Sequence, residues 1–329
     1  MKKESIYEAM QNDIMNANIS ENDKNKMLKN VMRLKNQKMN IMITGATGCG
    51  KSSTINAMFN TEVAKVGVDP ETMEIRKYEL DNLVLWDTPG LGDGKEADNR
   101  HAKNIIDKLL EVDENGNALI DLVLVILDGG SRDLGTSYQL INNVIIPNLG
   151  KGKENRILVA INQADTAMKG YNWDRDKNEP NQKLVKFLEE KVRSVRDRVY
   201  EATGVTIEPI YYSTGYKDEE REQSRPYNLS KLLYYIVKAT PSEKRAIYVN
   251  NINENREMWR DDDKLLDYGE ATRKSIFESI REGASAGAGI GGAIGGAIDG
   301  ILGSEGESIF RGVGEAIGGI IGGIIGFFF

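Results

Sequence analysis

The chain has 329 residues, among them 34 glycines, 7 prolines and 1 cysteine, and a formal net charge of −7. A single cysteine excludes an internal disulfide framework, and the acidic balance excludes a surface given over wholly to gripping nucleic acid. Seventeen of the glycines fall in the last 47 residues, which contain no proline, so that stretch is neither collagen-like nor a proline-stiffened linker.

Residues 1–39 read as a helical, basic N-terminal extension. Lys2 and Lys3 are followed by no apolar run, so no secretory signal is expected. Ser20 and Asp23 suit a helix start, and Met27, Leu28, Val31, Met32 and Leu34 form one apolar stripe at helical spacing. Lys24, Lys26, Lys29, Arg33, Lys35 and Lys38 accompany it with no acid among them. Two readings stay open: a helix packed on the next domain by its stripe, or a basic amphipathic helix for anionic lipid or RNA.

From residue 40 strands and helices alternate. Apolar runs of strand length are 41–43, 83–86, 122–127, 157–161 and 210–212, with helical stretches at 51–59, 97–110, 137–146, 182–200 and 230–237. The more charged, alternating run 73–80 reads as an added antiparallel edge strand. The fold class expected is α/β: a mostly parallel sheet with that one edge strand, helices on both faces, and helical extensions at both ends.

Gly45, Ala46, Thr47, Gly48, Cys49, Gly50, Lys51 and Ser52 fit GxxxxGK[ST], directly after the first strand and before the first helix of this domain. Glycines let the backbone turn tightly, so that its N–H groups point at phosphate oxygens, and the helix N-terminus adds partial positive charge. Lys51 would reach the β- and γ-phosphates and Ser52 would ligate Mg²⁺, with Ser53 beside them. Cys49 reads as a small residue without a role, the alternative being a reactive thiol whose pKa the helix N-terminus lowers. At the end of the next apolar strand, Asp87-Thr88-Pro89-Gly90 offers a carboxylate for the Mg²⁺ shell and a glycine N–H for the γ-phosphate. His101 reads as a solvated helix residue.

Asn162, Gln163, Ala164 and Asp165 follow the strand at 157–161 and resemble the guanine-reading NKxD pattern. One carboxylate accepts both N1–H and N2–H of guanine, a pair of donors that adenine lacks. Asn162 would meet the acceptor edge of the base and tie loops together. Gln163 stands where a lysine stem usually covers the base. Ser213 and Thr214 sit where a last base-contacting loop belongs. Residues 241–282 read as a helical linker with Leu265, Leu266, Ile276 and Ile280 as packing positions.

The tail, 283–329, divides into apolar segments 284–302 and 312–329, each with one charge, Asp299 and Glu315. As helices they would be about 27–28 Å long, close to the hydrocarbon thickness of a bilayer. Glycines recur every four residues, at 283, 287, 291 and 295 and again at 314, 318, 322 and 326, which puts them on one helix face. In water each costs a helix about 1 kcal/mol relative to alanine, whereas lipid enforces internal hydrogen bonding. A glycine-zipper membrane hairpin is preferred, with a soluble or self-assembled hairpin as the alternative.

The order of these motifs resembles that of the translation-factor-class (TRAFAC) P-loop GTPases, and among them the Era-like group described as 50S ribosome-binding GTPases, which includes the bacterial YeeP/YfjP-type proteins. The resemblance covers roughly residues 40–240 and rests on 45–54, 69–74, 86–93, 126–134 and 162–165. It implies a GTPase domain over 40–240, GTP/GDP and Mg²⁺ as cofactors, and hydrolysis of GTP to GDP and phosphate. It implies a switch-loop threonine on Mg²⁺ and the γ-phosphate, for which Thr72 is chosen over Thr61. Leu91 takes the place of the glutamine that orients water in small GTPases, so turnover is expected to be slow or to depend on dimerisation. Arg132 sits where immunity-associated GTPases place an arginine used across a dimer; a solvated loop arginine is the alternative. The expected partners are guanine nucleotide, a second copy of the chain and, through 283–329, a membrane reached from the cytoplasm. RNA or ribosome is not favoured. Rival functions are a binding switch with negligible turnover and a membrane-damaging effector gated by the GTPase domain.

Overall fold

Strands that are apolar on both faces need a cover on both faces, and the computed structural model of the chain supplies two. It describes residues 6–16, 20–59, 65–68, 75–92, 94–150, 152–215 and 225–285. Two helices, α1 (Ile6–Asn16) and α2 (Glu21–Lys35), lead into β1 (Met39–Gly45), α3 (Lys51–Met58), β2 (Lys65–Val68), β3 (Arg76–Glu79), β4 (Leu83–Asp87) and α4 (Lys95–Leu110). Next come β5 (Leu122–Asp128), α5 (Gly135–Gln139), a π-helical stretch (Leu140–Ile145), α6 (Ile146–Asn148) and β6 (Ile157–Asn162). A small ribbon of β7 (Trp173–Asp174) and β8 (Glu179–Pro180) precedes α7 (Gln182–Thr203), β9 (Ile210–Tyr211) and α8 (Leu229–Ala239). Two 3₁₀ stretches, Ser242–Asn250 and Arg256–Trp259, lead to α9 (Tyr268–Ser285).

The main sheet runs β2-β3-β4-β1-β5-β6-β9. β4, β1, β5, β6 and β9 are mutually parallel, while β3 is antiparallel to both β4 and β2. The antiparallel strand expected from the sequence is β3. It lies second from the edge, because the short β2 pairs outside it.

Period-two alternation divides the side chains between the covers. Ile41, Ile43, Leu122, Leu124 and Ile126 enter one core with α1, α2, α3, α8 and the 242–250 stretch. Met42, Val123, Val125 and Leu127 enter the other with α4, α5 and α7. Met27, Val31 and Leu34 of α2 are buried in the first core, so this stripe is spent on packing; Met32 stays exposed.

Three local expectations need correction. The helix expected at 137–146 runs from Gly135 to Asn148 and changes to a π ladder at Leu140–Ile145, ahead of Pro147, which has no N–H to give the preceding turn. Residues 241–267 are not α-helical but mostly 3₁₀ turns and loop. Leu265 and Leu266 are exposed rather than packed, since the Asp262 and Asp263 carboxylates bond the N–H groups of Lys264 and Leu265 and turn the chain outward. Tyr248, Ile252, Trp259 and Ile276 do the packing there instead. Ile280 lies outside the residues whose side chains are described.

Candidate functional site

β1 ends at Gly45, where a Cβ would lie 2.2 Å from the Ile126 carbonyl oxygen. Gly50, at φ 92°, caps α3, and a Cβ there would meet Asn162 Nδ2 at 2.2 Å. Only glycine fits either position. Within the loop, Lys51 Nζ donates to the carbonyls of Gly45 at 3.3 Å and Ala46 at 3.2 Å, so the amine lies back across the turn. Residues 88–91 lie on the same loop. Ala46 bridges to Leu91, the Thr47 N–H donates to the Leu91 carbonyl at 3.0 Å, and a Cβ on Gly90 would reach Thr47 at 2.3 Å. His101 is buried rather than solvated, with Nδ1 3.0 Å from the Gly90 carbonyl oxygen.

Cys49 is fully buried, and burial pushes its thiol up to about 11, against the pull of Lys51. Desolvation outweighs the helix N-terminus, which argues against the alternative of a reactive thiolate. Folded protein at pH 8 is therefore expected to resist maleimide with or without nucleotide and to react fully in denaturant. Rapid labelling of the folded chain would contradict this.

Ser52 Oγ donates to Asp87 Oδ2 at 3.1 Å. Asp87 is buried, and among the described residues its Oδ1 has no hydrogen-bond partner. Burial raises its carboxyl above the ordinary 3.8, with Ser52, Lys51 and Arg76 pulling the other way. A hydroxyl and a carboxylate with one orphaned oxygen form a hard donor set that suits Mg²⁺ completed by phosphate oxygens and water. No larger group of metal-ligating His, Cys, Asp or Glu exists among the described residues. Thr72 and its competitor Thr61 lie outside the described residues.

Without metal the raised carboxyl costs stability. The folded chain keeps this proton to a higher pH than the unfolded chain, so stability falls as pH rises from 3.8 through the raised value. In EDTA, Asp87→Asn is expected to melt at a higher temperature than the parent, with the gap widening from pH 4 towards neutrality. A gap that stays constant across that range would rule out the buried charge as its cause.

Asn162 is fully buried and joins three loops. Its Nδ2 donates to the Cys49 carbonyl at 3.0 Å, its Oδ1 accepts from the Thr214 N–H at 3.2 Å, and its own carbonyl accepts from the Gly129 N–H at 2.7 Å. Gln163, at φ 60°, reaches back so that Nε2 donates to the Gly48 carbonyl at 2.8 Å. Ser213 Oγ donates to Asp165 Oδ1 at 2.6 Å. Beneath them Tyr212 and Thr54 share a buried hydroxyl contact of 2.6 Å that ties this loop to α3. Gly50, Ser53, Asn162, Asp165, Thr214 and Met258 line one cavity of about 600 Å³.

Arg132 is not part of that cavity. It is exposed on the loop after β5 and lines a separate groove with Tyr138, Phe187 and Arg198. Lys191 holds the loop, donating to the carbonyls of Asp128, Gly129 and Ser131 at 3.1, 2.7 and 2.7 Å. Sequence reasoning missed Lys191, misread His101 as solvated and missed Met258. The first two sit in charged helical stretches without a distinguishing pattern, and Met258 lies far from every motif.

Residues 40–163 match the family model described as "50S ribosome-binding GTPase". The probable GTP-binding protein EngB of Malacoplasma penetrans is 30% identical over 139 residues, covering 41% of this chain and 68% of EngB. YkfA, an uncharacterized protein of Escherichia coli K12, is 29% identical over 147 residues, 43% of this chain and 47% of YkfA. YfjP of the same organism, also uncharacterized, is 26% identical over 172 residues, 51% of this chain and 55% of YfjP. The chain thus spans about half the length of these two relatives.

Proposed function

The chain belongs to the P-loop GTPase family represented by the 50S ribosome-binding GTPase model and EngB; from that premise we propose that it binds guanine nucleotide with Mg²⁺ and hydrolyses GTP to GDP and phosphate. The observation that carries this is Asn162. One buried side chain bonds both the phosphate loop and the loop at 213–215, and so fixes Asp165 relative to Gly50, Lys51 and Ser52. A guanine held by Asp165 is thereby matched to phosphates held at the N-terminus of α3.

Lys51 exchanges the Gly45 and Ala46 carbonyls for phosphate oxygens. Ser52 and Asp87 would hold Mg²⁺, which when bound would neutralise charge on the β- and γ-phosphates. The contact of Thr47 with Leu91 must open for the Thr47 N–H to face phosphate, which couples nucleotide to residues 88–91. Thr72, outside the described residues, is the switch-loop threonine proposed to join Ser52 and Asp87 at Mg²⁺ and the γ-phosphate. Titration with GDP and ADP, followed by multiple-turnover phosphate release from GTP, tests the reading. Equal binding of ADP would overturn it.

Leu91 cannot orient water, so turnover is slow unless another group assists. We infer that Arg132, exposed and away from its own chain's cavity, serves a second copy; its exposure on the loop after β5 supports this. Activity per subunit then rises with concentration and is lost in Arg132→Ala. A rate independent of concentration, with Arg132→Ala fully active, sinks this part.

The nucleotide state governs a tail that associates with membrane from the cytoplasm. The support is the sequence pattern of 286–329, which lies outside the described residues; among the described residues no helix is long and apolar enough to cross a membrane. Truncation at Gly283 is expected to shift the chain from the membrane to the soluble fraction. An unchanged distribution rejects the tail's role.

A further inference from the structure

The cavity beside Asp165 is completed by a segment well beyond the family-matched residues 40–163. After the Ser242–Asn250 stretch, the chain crosses the end of α3. Ile252 bridges to Phe59, the Asn253 N–H donates to the Met58 carbonyl at 2.8 Å, and Asn253 Nδ2 donates to the Ala57 carbonyl at 3.0 Å. Asn253 therefore satisfies carbonyls that the helix end leaves free. Trp259 is buried, and its Nε1 donates to the Asn253 carbonyl at 2.9 Å. Asp261 then bridges to Tyr227, which in turn bridges to Ser213 beside Asp165. The segment is thus pinned at both ends to walls of the cavity. Between the pins, the turn Arg256–Trp259 presents Met258.

Met258 is the one large apolar side chain among the described residues lining the cavity. Gln163 cannot cover a base as a lysine stem does while its amide is committed to the Gly48 carbonyl at 2.8 Å. A purine held by its edge at Asp165 still needs an apolar partner for its face, and a flexible, polarisable thioether suits an aromatic ring. We propose that Met258 contacts the nucleobase, so that the C-terminal extension supplies part of the guanine site and residues 252–261 respond to its occupancy. This rests on reading the Asp165 cavity as the guanine site.

The test uses the full chain. Met258→Cys is labelled with maleimide with and without GDP, the parent chain and its buried Cys49 giving the background. Calorimetry measures GDP affinity for the parent, Met258→Ala and Met258→Leu. GDP is expected to slow labelling at least about 10-fold; Met258→Ala should bind GDP about 5–10-fold more weakly, and Met258→Leu within about 2-fold of the parent. Labelling of Met258→Cys at one rate with and without GDP, while calorimetry shows that variant binding GDP, overturns the inference and leaves the guanine reading standing. A parent chain that binds no GDP overturns both. If Met258→Ala does not fold, the labelling result decides.

Discussion

Asp165→Asn is expected to weaken GDP binding by two to four orders of magnitude and to gain binding of xanthosine diphosphate. The carboxylate accepts two hydrogen bonds from guanine, each charge-assisted and worth about 1.5–3 kcal/mol. Together they come to about 3–6 kcal/mol, which is the stated loss when both fail. An amide offers one acceptor, and its NH₂ group faces a donor of guanine. Xanthine replaces that donor with a carbonyl, which accepts from the amide. Ser213, 2.6 Å from Asp165 Oδ1, can orient the new side chain by donating to its oxygen. Calorimetry with both nucleotides checks the exchange, and an unchanged GDP affinity would undo the base assignment.

Lys51→Ala is expected to lower GTP hydrolysis at least about 100-fold while leaving the fold in place. The loss follows from removing a charged donor from phosphates in a site where positioning and electrostatics provide most of the catalysis. The fold is spared because Lys51 Nζ holds only the carbonyls of its own loop, at 3.2 and 3.3 Å. Glycine geometry at Gly45 and Gly50, and the Asn162 bonds, are untouched. Phosphate release and a thermal melt of the nucleotide-free protein separate the two effects. A variant that hydrolyses at the parent rate contradicts the assignment of Lys51; one that unfolds shows that its bonds within the loop matter more than their lengths suggest.

The sheet was legible because its strands obey a simple rule. Runs such as 122–127 are apolar on both faces, and burial on both faces follows. The phosphate loop was legible for a different reason: glycine at 45 and 50 answers to close approach and positive φ, which no other residue tolerates. Outcomes set by tertiary environment were not legible. Cys49 lies at a helix N-terminus, yet burial governs its thiol. His101 is an ordinary helix residue in sequence and a buried partner of Gly90 in space. Leu265 and Leu266 carry apolar side chains in a turn made by neighbouring aspartates, so their hydrophobicity does not report packing. Met258 belongs to a short 3₁₀ turn with no periodicity to read, and it reaches the cavity through the bonds of Asn253 to the end of α3 and the bridge of Asp261 to Tyr227.

The glycine-rich tail holds half of the glycines and from residue 286 lies outside the described residues, and the nucleotide assignment does not depend on it. Titration of the full chain, in Mg²⁺, with GDP and in parallel with ADP decides that assignment most directly. One GDP bound per chain, with no heat of binding from ADP at the same concentration, is the expected result. Equal affinity for the two nucleotides, or no binding of GDP, would contradict it.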